Sequence, residues 1–413
     1  MQPQVPAERA VPIRRIMIMI VLAGAVGRFG YQMARTPVLP LFGHTLGATG
    51  VYLGLILAAS TLTGVLLKLP AGALSDLWGR RVLLRVGAVF FALPPFLYVF
   101  VHSAGALLAL RFVHGMATAI YGPVASAVVA SLSSKGRAAR LGFLASAQDI
   151  GSASGPLVGG FVLAWTASYY DVYWIVGVVG VVAMVMIWML PSEVTIGQIE
   201  ATADGLSRWS QFKSGLWMVV TSPPVLLTSA MEASMWLGYG AFLGFFPIYG
   251  HSIGLSVTTI TLILGVLLVT SFIWKPISGW VSDRIGRKPM ISLGLTLGAV
   301  SLPAIMTSRS AIVLGLLSFL LGLSVATVTP STNAFVADLV KSRSLGAAMG
   351  VFGTIWDSGE AMGPILAGAL VGVTTYSLSF VLIAVVMFAA MLVFQVGVRD
   401  PNAAQRTEAN TSG

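Results

Sequence analysis

Apolar stretches of membrane-crossing length recur along this chain, twelve of them, parted by short polar breaks. Their approximate spans are 16–39, 50–74, 82–101, 104–132, 138–166 and 172–190, then 222–249, 255–281, 289–307, 311–337, 344–372 and 375–397. Most reach the roughly 20 residues that carry an α-helix across a hydrocarbon core about 30 Å thick. In hydrocarbon every backbone N–H and C=O must be paired inside the protein, so stretches of this length specify helices. The expected fold is therefore an all-α membrane protein. Composition agrees, with 56% hydrophobic and 9% charged residues, too little charge for a soluble surface of this size. The chain has no cysteine, which excludes disulfides, thiol nucleophiles and thiolate metal sites. No cofactor or metal is expected.

The positive charges set an orientation. If both termini are cytoplasmic, eighteen of the 24 Lys and Arg residues fall in cytoplasmic segments and only Arg309 falls in an external loop. Five lie within spans: Arg28, Arg35, Lys68, Arg111 and Lys275. This bias is the positive-inside pattern, and it supports an even number of crossings. It also accounts for the net charge of +10 without nucleic acid. The basic N-terminus leads into the first span without a clear small-residue cleavage site, so it reads as a membrane helix and not a signal peptide.

The chain repeats itself. KLPAGALSDLWGRR (68–81) matches KPISGWVSDRIGRK (275–288) at a shift of 207, and LGFLASAQDIGSASGP (141–156) matches MGVFGTIWDSGEAMGP (349–364) at a shift of 208. The first match pairs Lys68 with Lys275, Asp76 with Asp283 and Arg80 with Arg287, and the second pairs Asp149 with Asp357. The expected division is a six-helix bundle over 1–190, a polar cytoplasmic linker over 191–221, a second six-helix bundle over 222–397 and a tail over 398–413. Repeats of this kind place a binding site at the interface of the halves, near the bilayer midplane.

The doubled GALSDLWGRR pattern resembles the loop signature of the major facilitator superfamily, G-x-L-x-D-x-x-G-R-[RK]. Gly72 and Gly79 allow the tight turn, Asp76 can serve free amides at a helix start, and the basic pair sits at an anionic lipid face. The resemblance implies twelve helices in two pseudo-symmetric bundles, transport by alternating access, and a role for Asp76 and Asp283 in locking the cytoplasmic side, with Arg80 and Arg287 beside them. LRFVHG (110–115) resembles the fourth-helix motif of proton-driven antiporters, which assigns Arg111 to proton coupling; the other reading is an arginine snorkelling to the interface. GSASGPLVGG (151–160) resembles the fifth-helix antiporter motif. Its glycines at 151, 155 and 159 share one face and admit a close neighbour, which plain helix packing also explains.

Four carboxylates lie within spans: Asp149, Glu232, Asp357 and Glu360. A carboxylate in hydrocarbon is either protonated or held ionised by a cation, so each is a proton-coupling candidate together with Arg111. In the family arrangement the second span faces the eleventh and the eighth faces the fifth. That places Lys68 opposite Asp357 and Lys275 opposite Asp149, two symmetric bridges expected to form when the cytoplasmic side is closed. The other reading points each lysine at headgroups or cavity water. Arg28 is expected to pair with Glu232 or with Glu360.

Substrate-cavity candidates are Arg28, Tyr31, Gln32, Tyr121, Gln148, Trp236, Tyr239, Asn333 and Trp356, since flat aromatic walls with polar edges suit large hydrophobic or cationic solutes. The expected function is proton-coupled efflux of amphiphilic or drug-like compounds by a monomer in the cell (inner) membrane, its partners a small-molecule substrate, protons and the bilayer. The alternatives are a carrier or uptake symporter for an anionic metabolite, favoured by Arg28 and Arg35, and a lipid or glycolipid translocator. An enzyme is excluded, because no nucleophile–base cluster or sizeable soluble domain is present.

Overall fold

The structure, a computed structural model, describes residues 13–132, 137–191, 221–340 and 345–398 and a few positions between 210 and 219; the side chains of 69, 73, 76, 77, 137–139 and 345–347 are outside that description. The expected linker and tail fall almost wholly outside the described residues, as does the Asp76 side chain.

All regular structure among the described residues is helical. The first half comprises α1 (Ile13–Met33), α2 (Val38–Thr45), α3 (Gly50–Trp78), α4 (Arg80–Leu97), a 3-10 turn (Tyr98–Phe100), α5 (Ala104–Ser131), α6 (Arg137–Thr166) and α7 (Tyr169–Trp188). The second comprises α8 (Pro223–Ser252), α9 (Val257–Ile285), α10 (Arg287–Ile305), α11 (Ala311–Leu339), α12 (Leu345–Val371) and α13 (Tyr376–Gly397). The repeat carries through to the helix ends: α9 begins and ends 207 residues after α3. Glycines with positive φ, Gly79 at 91° and Gly286 at 121°, make the matching turns into α4 and α10, a conformation that a Cβ would strain.

The first span departs from expectation. It continues to Thr45, and it is interrupted over residues 34–37 where α8 runs unbroken. Pro37, which has no N–H to donate, stands at the break, while the matching position in α8 is Gly244.

Among the described residues nine spans, α1 and α2 counting as one, are apolar enough to cross a membrane by length and composition. The three long helices that are not among them, α6, α8 and α12, carry all four carboxylates expected within the membrane. Large apolar side chains point outward along the helices, such as Leu66, Trp165 and Val396, an outer surface that suits lipid and not water.

Within the first half α1 packs on α6 and α7, α3 on α5, and α4 on α5 and α7. Within the second α8 packs on α12 and α13, α9 on α11, and α10 on α11 and α13. The glycine face of α6 lies on α1: a Cβ on Gly155 would sit 2.8 Å from the Met33 nitrogen, so no larger residue fits without parting the helices. The halves meet along two seams, α3 with α12 and α6 with α9.

Two basic side chains pin helix ends at matching places. Arg81 Nη2 donates to the Leu190 carbonyl at 2.8 Å just beyond α7, and Lys288 Nζ donates to the Gln395 and Val398 carbonyls at 2.7 and 2.6 Å at the end of α13. Each satisfies carbonyls that a helix leaves free at its C-terminus, and each sets a cation at the negative end of the helix dipole.

Candidate functional site

The face where α1 begins and α13 ends is termed proximal, and the opposite face distal. At the distal ends the seams are tight. Gly54 of α3 abuts Pro364 and Ile365 of α12, Gly368 abuts Gly50, and on the other seam Gly160 meets Thr261 and Gly265 meets Leu157. Toward the proximal face the halves part. A Cβ on Gly350 or Gly353 would meet nothing within 4 Å, and the cavity between the halves is lined down to Ala145, Met349 and Gly350. It has a volume of about 810 Å³. That is a drug-sized space, sealed distally and open proximally.

Ion pairs cross both seams. Lys68 on α3 bonds Asp357 on α12, and Lys275 Nζ on α9 lies 3.8 Å from Asp149 on α6. They are unequal. The Asp357 side chain is 14% exposed and hydrogen-bonded, whereas Asp149 is 55% exposed at a distance beyond a hydrogen bond. Both pairs stand while the cavity is open proximally. Both are therefore formed without a closed termini-bearing side, contrary to the expectation that closure of that side makes them; they lie near mid-depth, Asp357 twelve residues from the start of α12 and fourteen from its end.

A third pair was not foreseen. Arg35, in the break between α1 and α2, holds Glu360 at 2.7 Å and also donates to Thr61 at 3.2 Å. Arg28 does not take Glu360 or Glu232; its Nε donates to Ser152 Oγ at 2.9 Å. Depth explains the difference. α1 and α12 both run from proximal to distal, and Arg35 lies two turns beyond Arg28, level with Glu360.

Glu232 is fully buried and does not line the cavity. Its Oε1 accepts from Trp236 Nε1 at 2.8 Å and its Oε2 lies 2.6 Å from Thr332 Oγ1. Trp236 does line the cavity, stacked on Trp356 with ring centres 4.8 Å apart and edge-on to Tyr239 at 5.0 Å. The Thr332 hydroxyl has one hydrogen and three acceptors in reach, Glu232 and the Val328 and Thr329 carbonyls. Rotating that hydroxyl suits either form of the acid: it donates to the carboxylate, or it donates to its own helix and accepts from the carboxylic acid.

Of the cavity candidates, Arg28, Gln32, Trp236, Tyr239, Asn333 and Trp356 line the space. Tyr31, Tyr121 and Gln148 are not among the lining residues. Tyr31 and Tyr121 are buried within the first half, where Tyr31 packs edge-on to Phe91 and His114, and Tyr121 donates to the Ile20 carbonyl at 2.8 Å. Tyr31 stands beside Arg28 and Gln32 in α1, which do face the cavity, yet it joins the core of its own half with Tyr121, a distinction that residue type alone does not carry.

Arg111 is fully buried, which removes the snorkelling reading. Its Nη2 donates to Ser60 at 2.6 Å, and its guanidinium lies 5.8 Å from the centre of the Tyr31 ring. His114, which the sequence reading passed over, is buried beside it and bonded to Tyr98 at 3.3 Å.

In the repeated loop the expected gate residues make contacts within their own halves. Arg287 bonds Asp283 four residues earlier and reaches Asp338 at 3.4 Å, all within the second half. Arg80 donates to the Ala127 carbonyl at 3.3 Å within the first. With the proximal side open these contacts brace helix ends, and the expected lock of that side is a property of the closed state.

Two repeated helical halves around a central cavity, sealed at one face and open at the other, define a secondary transporter. The chain belongs to the Major Facilitator Superfamily, whose sequence profile matches residues 20–256 and 229–413. It is thus a multi-pass membrane transporter and not an enzyme. Over 344 residues it is 25% identical to an MFS-type transporter of Methanocaldococcus jannaschii, covering 81% of this chain and 86% of that one. It is 24% identical over 343 residues to the quinolone resistance protein NorA of Staphylococcus aureus, covering 81% and 84%. Among solved structures it resembles a variant of the nucleoside transporter NupG (TM-score 0.77, 13% identity, 93% of this chain and 100% of that one). It also resembles a bacterial homologue of the lysosomal transporter Spinster, described as inward-facing and occupied (TM-score 0.77, 14% identity, 94% and 97%). At these identities the solved structures establish the fold.

Proposed function

We propose that this protein exports amphiphilic, drug-sized compounds in exchange for protons, working by alternating access as a monomer in the cell (inner) membrane with both termini cytoplasmic. The observation that carries this reading is Glu232. Among the described residues no cation lies within 4 Å of it, and it is hydrogen-bonded to Trp236, a side chain of the cavity wall. Gain or loss of its proton rearranges the Thr332 hydroxyl and the Trp236 bond together, so proton occupancy acts on the wall that a flat solute would touch. Similarity to a quinolone resistance protein supports export of drug-like compounds. On this reading the Lys68–Asp357 and Lys275–Asp149 pairs steady the distally sealed state and part when the distal face opens.

Purified protein in liposomes with an imposed pH gradient tests it, with a cationic dye and an organic anion as solutes. Gradient-driven flux of either is expected in the wild type, and Glu232→Gln abolishes it while leaving solute-for-solute exchange. Full proton-driven flux in Glu232→Gln removes Glu232 from the mechanism. A carrier for an anionic metabolite is the second reading, favoured by Arg28, which faces the cavity without a carboxylate partner among the described residues.

A further inference from the structure

Among the described residues the cavity wall carries four cations and three carboxylates. Three of the cations are matched across the seams: Arg35 with Glu360, Lys68 with Asp357 and Lys275 with Asp149. Arg28 is left over. Its only hydrogen bond to another described residue goes from Nε to Ser152, and Ser152 in turn donates its own hydrogen to the Gln148 carbonyl at 2.9 Å. The serine oxygen is thereby oriented as an acceptor, which fixes the guanidinium plane from one edge. Both Nη groups have no protein acceptor among the described residues. A guanidinium held in this way presents the fork that a carboxylate or sulfonate fills with two parallel bonds. A cation at membrane depth outside any ion pair is unfavourable, and a bound anionic group would relieve that; Asp357, the carboxylate within its electrostatic reach, is already held by Lys68. The same cavity has the stacked indoles of Trp236 and Trp356 on its other half, with Nε1 of Trp356 buried and without a partner.

We infer that the solute is an aromatic amphiphile carrying one anionic group, a carboxylate or sulfonate, seated on Arg28 with its flat body against Trp236 and Trp356. This rests on the reading of the central cavity as the transport site. It narrows that reading: the three matched pairs are occupied within the protein, and a solute bearing a lone positive charge meets a wall of net positive sign.

Three probes with one aromatic body test it: tritiated 2-naphthoate, 2-naphthylmethanol and 2-naphthylmethylammonium, measured by equilibrium binding to the full-length protein in nanodiscs at neutral pH. The wild type is expected to bind the naphthoate about tenfold or more tighter than the alcohol, the scale of a charge-assisted two-bond contact. Arg28→Gln removes that preference and leaves alcohol binding within about twofold, and Arg28→Lys, which keeps the charge but not the fork, restores part of it. The inference is overturned if the ammonium or the alcohol binds the wild type as tightly as the naphthoate, or if Arg28→Gln leaves naphthoate affinity unchanged. Transport separates this failure from that of the exporter reading. Naphthoate that binds through Arg28 but is not moved by a pH gradient refutes proton-driven export and upholds the charge assignment. Gradient-driven export of a cationic dye that ignores Arg28 does the reverse.

Discussion

Replacing Gly54 with alanine adds one carbon to the distal seam. In the structure that Cβ would lie 2.8 Å from the Ile365 Cα and the Pro364 carbonyl carbon, whereas ordinary contact begins near 3.4 Å. Both are backbone atoms of α12, so no side chain can swing aside, and α3 must separate from α12 by more than half an ångström. Overpacking of this kind costs about 1–3 kcal/mol. The cost falls on the distally sealed state alone, because the helices are already apart when that face opens. The equilibrium should therefore move toward the distally open state by about 5- to 150-fold. The chain has no cysteine, so an Ala153→Cys reporter on the cavity wall is its sole thiol. In sealed liposomes, its labelling by an impermeant maleimide from the distal side should accelerate in that proportion until the open state predominates. Gly265→Ala is the matched control on the other seam. Its Cβ would meet the tip of Leu157, a flexible side chain that can rotate away, and distal labelling should change little. Unchanged distal labelling in Gly54→Ala, or an equal effect from Gly265→Ala, would refute the account of the seal.

The two seam bridges should differ. Lys68→Ala and Asp357→Asn should each shift the conformational balance by roughly 1–2 kcal/mol, since Lys68 is partly screened, and the double change should partly restore it; Lys275→Ala should cost only about 0–1 kcal/mol. Flux and maleimide labelling check both, and equal effects on the two seams would contradict the geometry. Lys288→Met removes two charge-assisted bonds to the end of α13 and should lower stability by about 1–3 kcal/mol, seen as a reduced melting temperature in detergent. Ser60→Ala leaves the Arg111 guanidinium without its shortest bond and should destabilise the first half by about 1–3 kcal/mol; an unchanged melting temperature would mean that the guanidinium finds another acceptor.

What could be read from the residues follows from what repeats. The spans were visible because hydrocarbon demands length and apolarity, and the matched positions of Lys68 and Lys275 pointed to partners because each lysine and aspartate occurs twice at one spacing. The state in which those pairs form was not legible, since sequence fixes depth along a helix but not the tilt of one half against the other. Arg35–Glu360 was missed because Pro37 breaks the first span where its repeat is unbroken, and no second copy exists to compare. Tyr31 and Tyr121 were misplaced for a different reason. An aromatic ring with a polar tip suits a cavity wall and a packed core alike, and Tyr31 lies one turn from Arg28 and one residue from Gln32, both of which do line the cavity.

The basic clamps bear on how each half holds together. The end of α7 is tied to α4 through Arg81 and Leu190, and the end of α13 to α10 through Lys288. These ties hold the last helix of each half to an earlier one at the face where the chain ends lie. Each bundle thus carries its own fastening at the proximal face, and the two fastenings, 207 residues apart in the chain, should let each half move as a unit when the cavity changes sides.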